Sequence, residues 1–236
     1  MVQLAFATLV TILTLLTSCS QSPAAETVPI PTPTPAPTAV QLLGETASQM
    51  SDLESLRFKF THEEGSTFIL DGLQAHTVFG DVALPSQANL KIEASALGFL
   101  VTIRLVISNG KAFMTDPFSG SWYSVSPSEL PFNFLDLGKT LATIARKMED
   151  PLLVNTDDPE NPPYIITGTI SGESLSLLVP RIDLNAEVQT ELVLDENKFL
   201  QQVTLVGPVV SGDILSVTRV IEFSNFDMPV EVILPE

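Results

Sequence analysis

Between Gln87 and Met114 the chain alternates apolar and polar residues almost without interruption. Ala88, Leu90, Ile92 and Ala94 interleave with Gln87, Asn89, Lys91 and Glu93; Phe99, Val101, Ile103, Leu105 and Ile107 then interleave with Leu100, Thr102, Arg104 and Val106. A period of two sends the two sets to opposite faces of a strand, so the first strand has one apolar and one wet face and the second sets an apolar face against a mixed one. Asn109-Gly110 is a strong tight-turn signal into Lys111-Ala112-Phe113-Met114. The stretch predicts an antiparallel meander, and its apolar face must be buried against something.

The rest of the chain supplies both more sheet and the cover. Val40, Leu43, Ala47, Met50 and Leu53 recur at helical spacing over Ala39–Leu56, and Leu56, Phe58 and Phe60 then alternate on one face of a strand. Leu73–Leu84 and Gly120–Val125 read as further strands. Phe134, Leu137, Leu141, Ile144, Ala145 and Met148 form a helical stripe across Asn133–Asp150, stopped by Pro151. After a polar loop at Asn155–Pro163, strands are expected at Tyr164–Ile170, Glu187–Leu194, Leu200–Val206, Val217–Ser224 and Val230–Leu234, with a short helix at Glu173–Val179. No repeat of fixed period is present. The fold class is α+β.

The amino terminus reads differently. Val2–Leu16 is apolar and uncharged, about the length of a signal-peptide core and short of the roughly 20 residues a spanning helix needs. It runs directly into Leu16-Thr17-Ser18-Cys19, a lipobox, in which small residues let the backbone enter a peptidase cleft and the thiol takes a diacylglycerol. Cys19 is the only cysteine. The reading is therefore a removed signal at 1–18, an acylated Cys19 opening a tether at 19–38, and one domain at 39–236. Two or three acyl chains anchor stably where one does not. The alternative is an ordinary secretory signal with an unpaired thiol; the usual basic start of a signal is missing, the first basic residue being Arg57. Ser22–Thr38 carries six of the 18 prolines, which favours polyproline II at about 3.1 Å per residue, a spacer of roughly 50 Å or else an unstructured tether.

The formal charge is −17, and none of it falls in 1–18. That argues against nucleic acid as a partner and against electrostatic attachment to an anionic bilayer. With 44% hydrophobic and 17% charged residues, the composition implies an acidic shell around an unusually apolar interior. Catalytic signatures are missing. Gly138-Lys139-Thr140 lacks the glycine a phosphate loop needs at Asn133. His62 and His76 stand apart from any nucleophile elbow. Asp157, Asp158 and Glu160 do not have calcium-loop spacing, so a solvated acidic loop is expected and no metal.

Gly80-Asp81-Val82-Ala83-Leu84-Pro85-Ser86-Gln87-Ala88, then Ile107-Ser108-Asn109-Gly110-Lys111-Ala112-Phe113 and Trp122, follow an order that resembles the LppX/LprAFG family of lipid-carrying bacterial lipoproteins. Ile165-Ile166-Thr167-Gly168-Thr169-Ile170-Ser171, the short helix before Pro180 and the lipobox with its leader are similar too. The resemblance implies a strongly curved antiparallel half-barrel with helices across its concave side, around an apolar cavity for the acyl chains of a glycolipid or acylglycerol. LolA-type carriers share that architecture. The expected lining is Phe58, Phe60, Leu90, Ile92, Val101, Ile103, Leu105, Phe113, Leu137, Leu141 and Ile144. The implied protein is not an enzyme and needs no cofactor. Its partners are a lipid or glycolipid, the membrane through Cys19, and a lipid exporter as a candidate. The alternative is a surface interaction module in which the same sheet packs solid.

Overall fold

The computed structural model describes residues 36–70, 72–130, 136–154, 162–176, 178–179 and 181–235. Helix α1, Ala39–Ser51, starts at Thr38, whose hydroxyl accepts from the Gln41 amide while the Gln41 side chain accepts from the Thr38 amide. This reciprocal cap fixes the phase of the helix. The buried stripe is Ala39, Leu42, Leu43, Thr46, Ala47 and Met50, and Val40, expected inside, faces solvent.

Twelve antiparallel strands follow: β1 Ser55–Glu64, β2 Thr67–Leu70, β3 Leu73–Ala83, β4 Gln87–Ala96, β5 Phe99–Ser108, β6 Lys111–Thr115, β7 Trp122–Val125, β8 Glu149–Val154, β9 Tyr164–Ser171, β10 Glu187–Leu194, β11 Leu200–Val206 and β12 Thr218–Ser224. They form one curved, unclosed sheet in the order β7-β6-β5-β4-β3-β1-β12-β11-β10-β9-β8, with β2 alongside β3. Strand β1 pairs with β12 at the centre, and a meander spreads to each side. The edges β7 and β8 are consecutive in the chain. The connection between them must therefore return from one edge to the other, and it carries α2, Leu137–Arg146.

Helix α2 is shorter than its apolar stripe. It stops at Arg146, and Glu149–Val154 pairs with β9 instead. Pro151 is tolerated there because β8 is an edge strand with one free side. Met148, though out of the helix, stays buried against Gly168, where a Cβ would lie 2.7 Å from its Cγ. Phe134 and the acidic loop at 157–160 lie outside the described residues. The expected strand at Val230–Leu234 does not form. Strand β12 is already paired on both sides, and Asn225 and Asp227 at positive φ turn the chain away, with Asp227 accepting from the Glu54 amide at 2.8 Å. Helix α3 is limited to Gly172–Leu175.

Candidate lipid-binding face

Cross-strand register assembles the inner face. Leu153, Ile166, Leu192, Val203, Ile221, Phe60, Val78, Ile92 and Ile103 are successive partners across nine neighbouring strands. A second row runs Phe223, Phe58, Gly80, Leu90, Leu105 and Met114. Residues directly opposite in an antiparallel pair share a face, so these rows form one apolar wall. Leu137, Leu141 and Ile144 of α2 belong to the same buried cluster, as does Val101. Ten of the eleven residues expected to line a cavity are thus brought together.

Phe113 is not on this wall. The two-residue Asn109-Gly110 turn pairs Ser108 with Lys111, and hence Val106 with Phe113, on the outer face. Met114, opposite Leu105, takes the inner place. Cys19 lies outside the described residues.

The two helices are joined to each other as well as to the sheet. The Arg146 guanidinium donates to the Ala47 carbonyl at 3.4 Å and to the Ser51 hydroxyl at 3.1 Å. Gly138 permits the approach, since a Cβ there would sit 2.8 Å from the Met50 carbonyl oxygen.

At one end the wall turns polar, which sequence reading missed. Arg219 occupies an inner position in the alternation Val217, Arg219, Ile221, Phe223, opposite His62, and is fully buried. Its Nη2 meets Asp213 at 2.6 Å and its Nε donates to the Thr67 hydroxyl at 2.8 Å. The other Asp213 oxygen accepts from the Val209 and Val210 amides, both at 2.8 Å. His62 completes the chain, with Nε2 2.8 Å from the Thr67 hydroxyl and Nδ1 3.2 Å from the His76 carbonyl oxygen. A carbonyl only accepts, so Nδ1 carries the proton and the Thr67 hydroxyl donates to Nε2. The signal available in the sequence was an arginine in the apolar phase of a strand.

Burial lowers the His62 pKa from its ordinary 6.5, with Arg219 and His76 acting in the same direction and the His76 carbonyl and Asp213 against it. An unfolded chain then binds the proton more readily than the folded one, so stability is present above pH 6.5 and falls as pH drops below it toward the folded value. Melting temperature is expected to decline over that range, and His62→Gln to flatten the decline. A slope that His62→Gln leaves unchanged would assign the acid sensitivity elsewhere.

The outer face is polar and paired across strands. Arg57 meets Asp81 through two hydrogen bonds of 2.7 and 2.9 Å, which raise the Arg57 pKa, and Lys59 meets Glu222 at 3.1 Å. A groove of about 770 Å³ runs between them, bordered by Thr77, Phe79, Glu93 and Gln202. The wet face is therefore the one turned away from the helices.

Over 85% of this chain and 99% of the other, the structure matches LprF from Mycobacterium bovis with a TM-score of 0.64 at 18% identity. Mycobacterium tuberculosis lipoprotein LppX matches over 82% and 97%, with a TM-score of 0.55 at 15% identity. The fold is that of LprF and LppX. No family model and no curated protein matches the sequence. In this structure the apolar wall lies on the side of the open sheet that the helices cover.

Proposed function

We propose that this protein is a lipid carrier of the cell envelope that holds acyl chains against the inner wall of its sheet. One observation carries the reading: an apolar row continuous over nine strands faces, among the described residues, two substantial helices, of 13 and 10 residues. At 1.5 Å per residue those helices are about 20 and 15 Å long, whereas nine strands 4.8 Å apart extend roughly 40 Å. The helices alone do not span the row, yet without a guest its ten expected lining residues are at most 8% exposed, so a guest chain lodges by parting the wall from its cover. Each buried methylene is worth about 0.8 kcal/mol, so ten contribute about 8 kcal/mol before the costs of association. Hydrophobic burial suffices, without chemistry or a cofactor. The fold shared with LprF and with lipoprotein LppX supports the same reading.

Residues 1–18 are proposed as a removed signal, Cys19 as the acylated anchor, 19–38 as the tether and 39–236 as the carrier domain, outside the cytoplasm. Cys19→Ala is expected to abolish incorporation of a fatty-acid probe and to release the protein or leave it unprocessed; equal labelling of both forms would refute the anchor.

The rival is a solid interaction module, favoured by the low exposure of the wall, at most 8% for the ten lining residues. Val101→Trp separates the two. In a close-packed core the indole overpacks at about 1–3 kcal/mol. If chains lie beyond Val101, the lipid-free variant melts within a few degrees of the parent but takes up long-chain fluorescent lipid several-fold more weakly. A large fall in melting temperature, in a parent protein that binds no lipid, would favour the module.

A further inference from the structure

The hairpin joining β4 to β5 ends in three exposed apolar residues: Leu97 is 80% exposed, Phe99 68% and Leu100 84%. Leu97 and Gly98 both take positive φ to make the turn, while Phe99 and Leu100, successive in a strand, point to opposite faces. No residue from 94 to 103 carries a charge. At the same end of the sheet the loop between β11 and β12 exposes Ile214 and Leu215, the latter 88%. Register fixes this shared end: Ala96 pairs with Phe99 and with Leu73, and Thr218 pairs with both Val206 and Glu64. The one charge in that loop, Asp213, is buried on Arg219. Two apolar tips, neither carrying an exposed charge, therefore project from one rim.

A protein partner covers one side of such a tip, whereas a tip apolar on both faces is satisfied by a medium that surrounds it. Beyond the last pair with β3, Ala96 with Leu73, the tip extends by the two residues Leu97 and Gly98, roughly 7 Å of chain at about 3.3 Å per strand residue, within the 5–10 Å at which interfacial apolar groups sit. The exposed Glu63 and Glu64 lie near this rim, and they oppose anionic headgroups. We propose that the Leu97–Leu100 tip, with Ile214 and Leu215 beside it, is the surface by which the protein enters a zwitterionic bilayer. The contact serves exchange of the carried lipid, and in that purpose it rests on the carrier reading.

The test uses the full chain with vesicles of phosphatidylcholine bearing brominated acyl chains. The protein has one tryptophan, so Phe99→Trp in a Trp122→Phe background places the only indole at the tip. Its emission should shift to the blue and lose at least half its intensity to bromine, and adding Leu97→Ser and Leu100→Ser should restore most of it. Met228→Trp in the same background reports from the opposite end, beside Ser55, and should stay unquenched. Anionic vesicles should quench position 99 several-fold less. No quenching at 99, equal quenching at 228, or a blue shift that grows with protein concentration without vesicles, as a second copy would produce, overturns the proposal. Organic extraction keeps the two ideas apart. Extractable lipid without quenching sinks the docking tip alone, and quenching without extractable lipid sinks the carrier alone.

Discussion

Asp213→Ala is expected to cost about 3–5 kcal/mol, enough to consume much of the roughly 5–15 kcal/mol that holds a domain folded. The carboxylate satisfies three donors at once, the Arg219 guanidinium at 2.6 Å and the Val209 and Val210 amides at 2.8 Å. Removing it leaves a fully buried cation without its counter-ion and two amides without an acceptor. The cost lies in that uncompensated burial rather than in any large net worth of the pair. The double variant Asp213→Asn with Arg219→Met should therefore be more stable than Asp213→Ala, because the cation is gone and the amide oxygen still accepts. Urea denaturation of the three proteins measures this. A single variant losing less than about 1 kcal/mol would show that water reaches the pair, contrary to its burial.

Gly80→Ala should be as damaging by a different route. Gly80 sits in the inner row between Phe58 and Leu90, where a Cβ would overlap the Asn89 carbonyl oxygen and lie 2.9 Å from the Leu90 Cα. Backbone cannot swing aside as a side-chain tip can, so the cost should reach about 3 kcal/mol or more, the upper end of overpacking. Gly44 of α1 is the control: nothing lies within 4 Å of its Cβ position and it is exposed, so Gly44→Ala should stabilise by about 0.5–1 kcal/mol. Thermal melts of the two variants should move in opposite directions. A folded Gly80→Ala protein with an unchanged melting point would mean that strands β3 and β4 can part there without loss.

Strand alternation from Gln87 to Ile107 was legible because each strand has one buried face and Asn109-Gly110 closes the second. The same logic extended one step further would have removed Phe113 from the wall, since a two-residue turn pairs Val106 with Phe113 by counting alone. Other misses have physical causes that a period cannot carry. Strand β2 has four residues, too few to show alternation. Strand β8 contains a proline and exposes Leu152 and Val154, because it is an edge. Val230–Leu234 has the composition of a strand, but β12, which it follows, is already paired on both sides. The phase of α1 depended on the Thr38 cap, which moved Val40 outward. The Arg219–Asp213–Thr67–His62 network joins residues from β12, the loop before it, β2 and β1, a grouping that only tertiary structure creates.

Organic extraction of purified protein, read by mass spectrometry alongside native mass measurement, tests directly whether acyl chains lie against the inner wall. A co-purifying lipid with at least one long acyl chain is expected, in near-stoichiometric amount and reduced several-fold in the Val101→Trp protein. Protein that carries no lipid from its native host, and takes up none when offered long-chain glycolipid or acylglycerol, would contradict it.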